Sequence, residues 1–196
     1  MEELVSKTVY FKQPGKQNTS RVMELAHARA TELGLHTVVT ATTSGDSGLA
    51  AARTFSGMKV IVVSHSTGFR GPNTQELTDE NRQGIEELGG TILTTTHAFG
   101  GVNRAVRQKL KTYQTDEIIA FTLRIFGEGL KVVCETTLMA ADAGLLPVAE
   151  PALIIAGTGS GSDTAAIILP AHAQDFFDLR LIELICIPAA HHPLFH

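Results

Sequence analysis

Six consecutive residues, Thr42–Ser47 (TTSGDS), stand between an apolar stretch and an alanine-rich one. Thr42, Thr43, Ser44 and Ser47 offer hydroxyl donors. Gly45, and Gly48 just beyond, let the backbone turn its N–H groups outward with no Cβ in the way. A helix starting here adds roughly half a positive charge at its N-terminus. Together these make a cradle for an anion, and phosphate is the usual occupant. The plainer alternative is a capped helix start, with Asp46 or Ser47 as N-cap. The cradle reading predicts that Gly45→Val removes anion affinity from a folded protein.

A second small-residue stretch, Gly157–Thr164 (GTGSGSDT), invites a dinucleotide reading and fails it. Ser162 stands where the third glycine belongs, and the following TAAIIL reads as a strand, not a helix. What remains is a glycine-rich hairpin. Either the amides of Gly159, Ser160 and Gly161 form a second anion nest, or this is an ordinary turn. No lysine occurs between Lys16 and Lys59, so the lysine-bearing loop of nucleoside triphosphatases is absent. Asn18 and Thr19 either cap a helix or contact a ligand, with Lys12 or Lys16 as counter-charge.

SHSTGF supplies His65, Thr67, Gly68 and Phe69 at another strand exit, suited to an apolar slot with a few polar groups. His97 lies at the next. Glu135 is set among Val132, Val133, Leu138 and Met139. A carboxylate buried there needs a partner, and such acids mark functional sites. Lys131, one turn earlier, is the available cation. Asp142 lies two turns on, and Asp163, Thr164 and His172 flank the last hairpin. No nucleophile–base–acid triad and no metal-ligand spacing is legible. Cys134 and Cys186 sit in apolar runs and read as buried thiols of a cytoplasmic protein.

The elements that must position these groups alternate. Strands at KTVYF, HTVVTA, KVIVVSH and TILTTT are interleaved with helices over residues 20–34, 47–55 and 78–90. That is the pattern of a parallel sheet covered on both faces. Three further helices follow, the last (128–147) apolar nearly all round and therefore buried. ALIIAG and TAAIIL are joined too tightly for a parallel crossover, so they are antiparallel neighbours. RLIELICIP closes the sheet as an apolar strand that could pair across a dimer edge. The expected fold is three-layer α/β/α, one domain over residues 1–196, with an antiparallel hairpin near its end.

The 196 residues are 43% hydrophobic and 18% charged, enough for a full core. The net charge of −4 disfavours nucleic acid, which selects a basic face. No apolar run reaches the ~18 residues that span a bilayer. The terminal AAHHPLFH holds three histidines with no second ligand cluster.

ATTSGDSGLAAA resembles the phosphate loop of the threonine-synthase branch of pyridoxal-phosphate enzymes. By that likeness Lys12 would take the Schiff-base position. The order of elements over nearly the whole chain is similar to the C-terminal domain of pyruvate kinase. There, comparable loops hold the phosphates of a sugar bisphosphate, which implies a regulatory module reading a phosphorylated metabolite. YFKQPGKQNT, SGDSGLAA, VVSHSTGF, FGEGLKVVCETTLMAADAGLLP and GTGSGSDTAAIILPAH more closely resemble stand-alone archaeal and bacterial proteins of that fold. Their function is uncharacterised and some contain FMN. The resemblance implies an FMN ligand and no particular reaction.

Overall fold

The computed structural model describes Glu3 and residues 5–189; the histidine-bearing tail lies outside the described residues. The elements in chain order are β1 (Val9–Phe11), α1 (Thr19–Glu32), β2 (Thr37–Thr42), α2 (Asp46–Thr54), β3 (Lys59–Ser64), α3 (Asp79–Glu87) and β4 (Thr91–Thr94). Then come α4 (Val102–Leu110), α5 (Thr115–Arg124), α6 (Glu128–Asp142), β5 (Ala152–Ala156), β6 (Thr164–Leu169) and β7 (Arg180–Pro188). A short 3-10 turn, Lys16–Asn18, leads into α1.

The strands form one sheet in the order β1-β7-β6-β5-β2-β3-β4. β2 pairs parallel with both β3 and β5, and β3 with β4. β6 is antiparallel to β5 and to β7, as the short β5–β6 joint requires. β7 is flanked by β6 and by β1, so its apolar run is not a free edge; the edges are β1 and β4. The expected route to a dimer through β7 is therefore closed.

Alternation along the strands divides the core. Val38, Val60, Val62, Leu153 and Ile155 face α1, α2 and α3, where Val22, Phe55 and Ile85 meet them. Val39, Ile61, Val63 and Ile154 face α6, through Leu130, Val133, Met139 and Ala140. α5 packs on α6, and α4 on α5. The result is a three-layer α/β/α architecture. α6 is buried almost throughout, and each large apolar side chain it buries contributes roughly 1.5–3 kcal/mol.

Among the described residues no helix is long and apolar enough to cross a membrane.

Candidate functional site

β1 runs parallel to β7, β7 antiparallel to β6, and β6 antiparallel to β5. The exit of β1 therefore reaches the same sheet edge as the exits of β2, β3, β4 and β5. From β2 the chain moves outward to β3 and β4, whereas β5, on the other side of β2, leads outward to β6. Such a reversal opens a crevice at the carboxyl ends of the strands. A cavity of about 850 Å³ occupies it, within the ~300–1,000 Å³ range of small-molecule sites.

Residues 42–44, Asp46 and Ser47 line this cavity, as do Gly159, Ser160 and Gly161, with Lys16 and Thr19 from the exit of β1. His65, Phe69, His97 and Glu135 line it too. Two stretches far apart in the chain thus share one space.

The cradle is held from outside. The Ser44 carbonyl accepts from the Thr78 amide and from Asn81 Nδ2, each at 3.1 Å. The Asp46 carboxylate accepts from Ser44 Oγ at 2.8 Å and Asn81 Nδ2 at 3.0 Å. The Gly45 amide donates to Thr42 Oγ1 at 3.1 Å, so one N–H of the loop is used internally. The first N–H groups of α2, at Asp46 and Ser47, have no partner within the helix. Gly45 itself does not line the cavity. Its φ is +108°, and a Cβ there would fall 2.4 Å from Asn81 Cβ and 2.7 Å from Leu77 Cδ1. Its smallness serves the approach of α3, so Gly45→Val would disturb folding and is not a clean probe of binding.

The facing wall is a clamp. Asp163 is fully buried. Its Oδ2 accepts from the amides of Gly15 (2.9 Å) and Thr158 (3.1 Å), and its Oδ1 from Thr164 Oγ1 (2.8 Å). The Ser162 amide donates to Thr19 Oγ1 at 2.9 Å. Gly161, at φ +71°, lets the turn close on Lys16, whose Cα would lie 2.3 Å from an added Cβ.

Several expected ligand residues therefore do not line the cavity. Asp163 ties two loops together, and Thr164 Oγ1 donates to it. Asn18 Nδ2 donates to the carbonyls of Gln13 and Gly15, closing its own turn. Thr67 and Gly68 shape the loop after β3, where the Gly68 amide donates to the Thr74 carbonyl at 2.8 Å. Asp142 accepts from the Ala173 amide and contacts His172 Nδ1, outside the site. Lys12 is also outside; Lys16 is inside.

Glu135 lies 4% exposed on α6. Its Oε1 accepts from the Phe99 amide at 3.1 Å, and its Oε2 from Lys131 Nζ at 3.0 Å. His97 Nδ1 is 3.7 Å from Oε1. His97 Nε2 accepts from the Ser66 amide at 3.3 Å, which leaves the ring proton on Nδ1, facing the carboxylate. Burial alone would raise the Glu135 pKa. The His97 contact and the Lys131 and His97 charges outweigh it and hold the carboxyl at about 2. Lys131 also meets Glu128 at 3.1 Å, and Glu128 meets Arg124 at 2.6 Å.

Phe69 stacks on His97, with centroids 4.8 Å apart and planes 14° from parallel, and lies 4.3 Å from the His65 ring. His65 Nδ1 bonds Glu76 at 2.6 Å. Arg70, Arg104 and Arg124 also line the cavity. Five cations, Lys16 and Lys131 among them, face three carboxylates there, Asp46, Glu128 and Glu135. The balance favours an anionic guest. The arginines were missed in the sequence because they sit on a loop and two helices whose approach to the cavity only tertiary packing decides. Burial pushes the Cys134 and Cys186 thiols up to about 11 and about 12, so neither is a reactive thiolate.

This is an α/β domain with a polar, cationic cavity at a strand crossover. The model of the family described as "Pyruvate kinase, alpha/beta domain" matches residues 8–168, and the chain belongs to that family. Solved structures also show likeness. O-ureido-L-serine synthase with O-ureido-L-serine bound is 18% identical, covers 64% of this chain and has a TM-score of 0.32. The NH3-dependent NAD synthetase of Campylobacter jejuni, in complex with nitrate, is 14% identical over 72% of this chain, with a TM-score of 0.34. The chain spans about half of each, 47% and 56%. Neither likeness bears on what the cavity holds.

Proposed function

We propose that the protein binds a phosphorylated small molecule, FMN, in the cavity at the strand ends. The observation that carries this reading is the convergence of the TTSGDS loop, the Gly159–Gly161 turn and Lys16 on one cavity. Its further lining includes an aromatic and apolar set, Phe69, His97, Val132 and Met139, beside the charged groups already described. The residues fit the group. The phosphate takes the α2 N-terminus and the hydroxyls of Thr43, Ser44 and Ser47. Lys16 supplies the counter-charge, and the isoalloxazine ring takes the aromatic lining. Bound flavin would supply electron-transfer chemistry; the protein's share is to bind it, orient it and hold Glu135 ionised beside it.

FMN added to the full chain should quench flavin fluorescence and raise Tm. A ligand at ~100 times its Kd stabilises by about 2.7 kcal/mol. Lys16→Gln removes a charge-assisted contact and should weaken FMN by roughly tenfold, about 1.4 kcal/mol. Riboflavin, lacking the phosphate, should bind more weakly than FMN and lose nothing in the variant. FMN that changes neither fluorescence nor Tm overturns the flavin assignment.

Membership in the pyruvate kinase α/β family, together with the five cations, supports a second reading: a regulatory module that reads a sugar bisphosphate. A Tm rise with a sugar bisphosphate and none with FMN would select it. The pyridoxal-phosphate reading has lost its lysine, since Lys12 does not face the cavity.

A further inference from the structure

A second, smaller cavity of about 230 Å³ adjoins the first. Phe69, His97, Arg104, Arg124, Lys131 and Glu135 line both. Of its remaining walls, Phe99, Ala120 and Phe121 are apolar, and Arg107 and Glu117 are charged. At ~30 Å³ per water it has room for about eight waters, or one compact organic molecule.

The charges of this chamber pair off, with one left over. Arg107 bonds Glu117 at 2.5 Å. Lys131 bonds Glu135 and Glu128, and Arg124 bonds Glu128. Arg104 makes no ion pair among the described residues. Its guanidinium lies over the Phe69 ring, 4.6 Å from the centroid. No protein acceptor among the described residues takes its side-chain N–H groups, so those donors are open to a guest. Those donors match a carboxylate in fork geometry.

We infer that this chamber is a binding site for a short-chain carboxylate, held by Arg104. The apolar walls receive the carbon skeleton and the guanidinium receives the anion. Because the two cavities share six lining residues, a carboxylate seated here lies directly beside whatever fills the larger one. The site stands whether or not that larger occupant is FMN.

Calorimetric titration of the full chain with acetate, oxalate and succinate tests it, with neutral oxamide as the uncharged counterpart of oxalate. At least one of the three anions should bind saturably with a Kd below ~10 mM, and oxamide should not. Arg104→Gln should weaken that anion at least tenfold. Arg104→Lys, which keeps charge but not the fork, should recover only part of the loss. Lys16→Gln, in the larger cavity alone, and Arg53→Gln, on the exposed face of α2, should change it less than twofold. Unaltered Tm in the absence of ligand would show that Arg104→Gln is folded. The inference is overturned if none of the anions binds, if oxamide binds as tightly as oxalate, or if Arg104→Gln stays within twofold of wild type. It is equally overturned if Lys16→Gln loses as much as Arg104→Gln, since the anion then occupies the cradle.

Discussion

Glu135 engages a lysine, a histidine and a backbone amide from inside the protein. Its folded pKa of about 2 lies below its ordinary 4.5. The ionised carboxylate therefore stabilises the fold above the unfolded pKa, and that contribution is lost as the pH falls from about 5 toward 2. Two other carboxyls act in the same direction. For Glu76 and Glu128, burial opposes ionisation and is the largest single influence, but it is outweighed by the bonds and charges of His65 and Arg70 together in one case and of Arg124 and Lys131 together in the other. Urea unfolding across this range should show Glu135 alone accounting for on the order of 3 kcal/mol. Glu135→Gln should be less stable at pH 7, by about 3 kcal/mol, and should have a visibly flatter acid limb. An acid limb as steep as that of wild type would mean the carboxylate carries no such linkage. The Lys131 partnership was legible in the sequence, because spacing of four on a helix brings the two together. The role of His97 was not, since only tertiary packing, which brings the loop after β4 against α6, sets that distance.

Elements, more than single side chains, shape the cradle. The TTSGDS loop holds its form because the N-terminus of α3 reaches across to it through Thr78 and Asn81. Gly45→Ala should lose roughly 2–4 kcal/mol, from a Cβ with no room and a backbone at positive φ. Asn81→Ala should lose only about 1–2 kcal/mol and keep the fold, while weakening FMN severalfold through a loosened loop. Thermal melts with and without FMN separate the two. Equal Tm losses in both variants would contradict this division of roles. The strand–helix alternation and the antiparallel β5–β6 joint were readable from period and connection length. The work of Asp163 was not. It looks like a ligand residue in a glycine-rich turn, yet its oxygens serve amides at residues 15 and 158, a contact set by the sheet order. Arg104 and Arg124 were hidden for a related reason: α4 and α5 read correctly as helices, but nothing local says they fold back over α6.

At the scale of the molecule, the site is a convergence of five strand exits on one edge. FMN should therefore protect the amides of residues 16–19, 42–48 and 157–161 from hydrogen exchange together, as one cooperative group. Protection confined to 42–48 would reduce the site to the single loop. The same geometry carries a consequence for biosynthesis. β1 has one neighbour in the sheet, β7, with Val9 beside Cys186. At translation rates of 5–20 residues per second, the earlier strand waits roughly ten to thirty-five seconds for the later one. Until then β1 has no strand to pair with. A nascent chain can assemble β2, β3 and β4 early, but β1 and the turn that follows it are fixed in the sheet only after β7 has emerged.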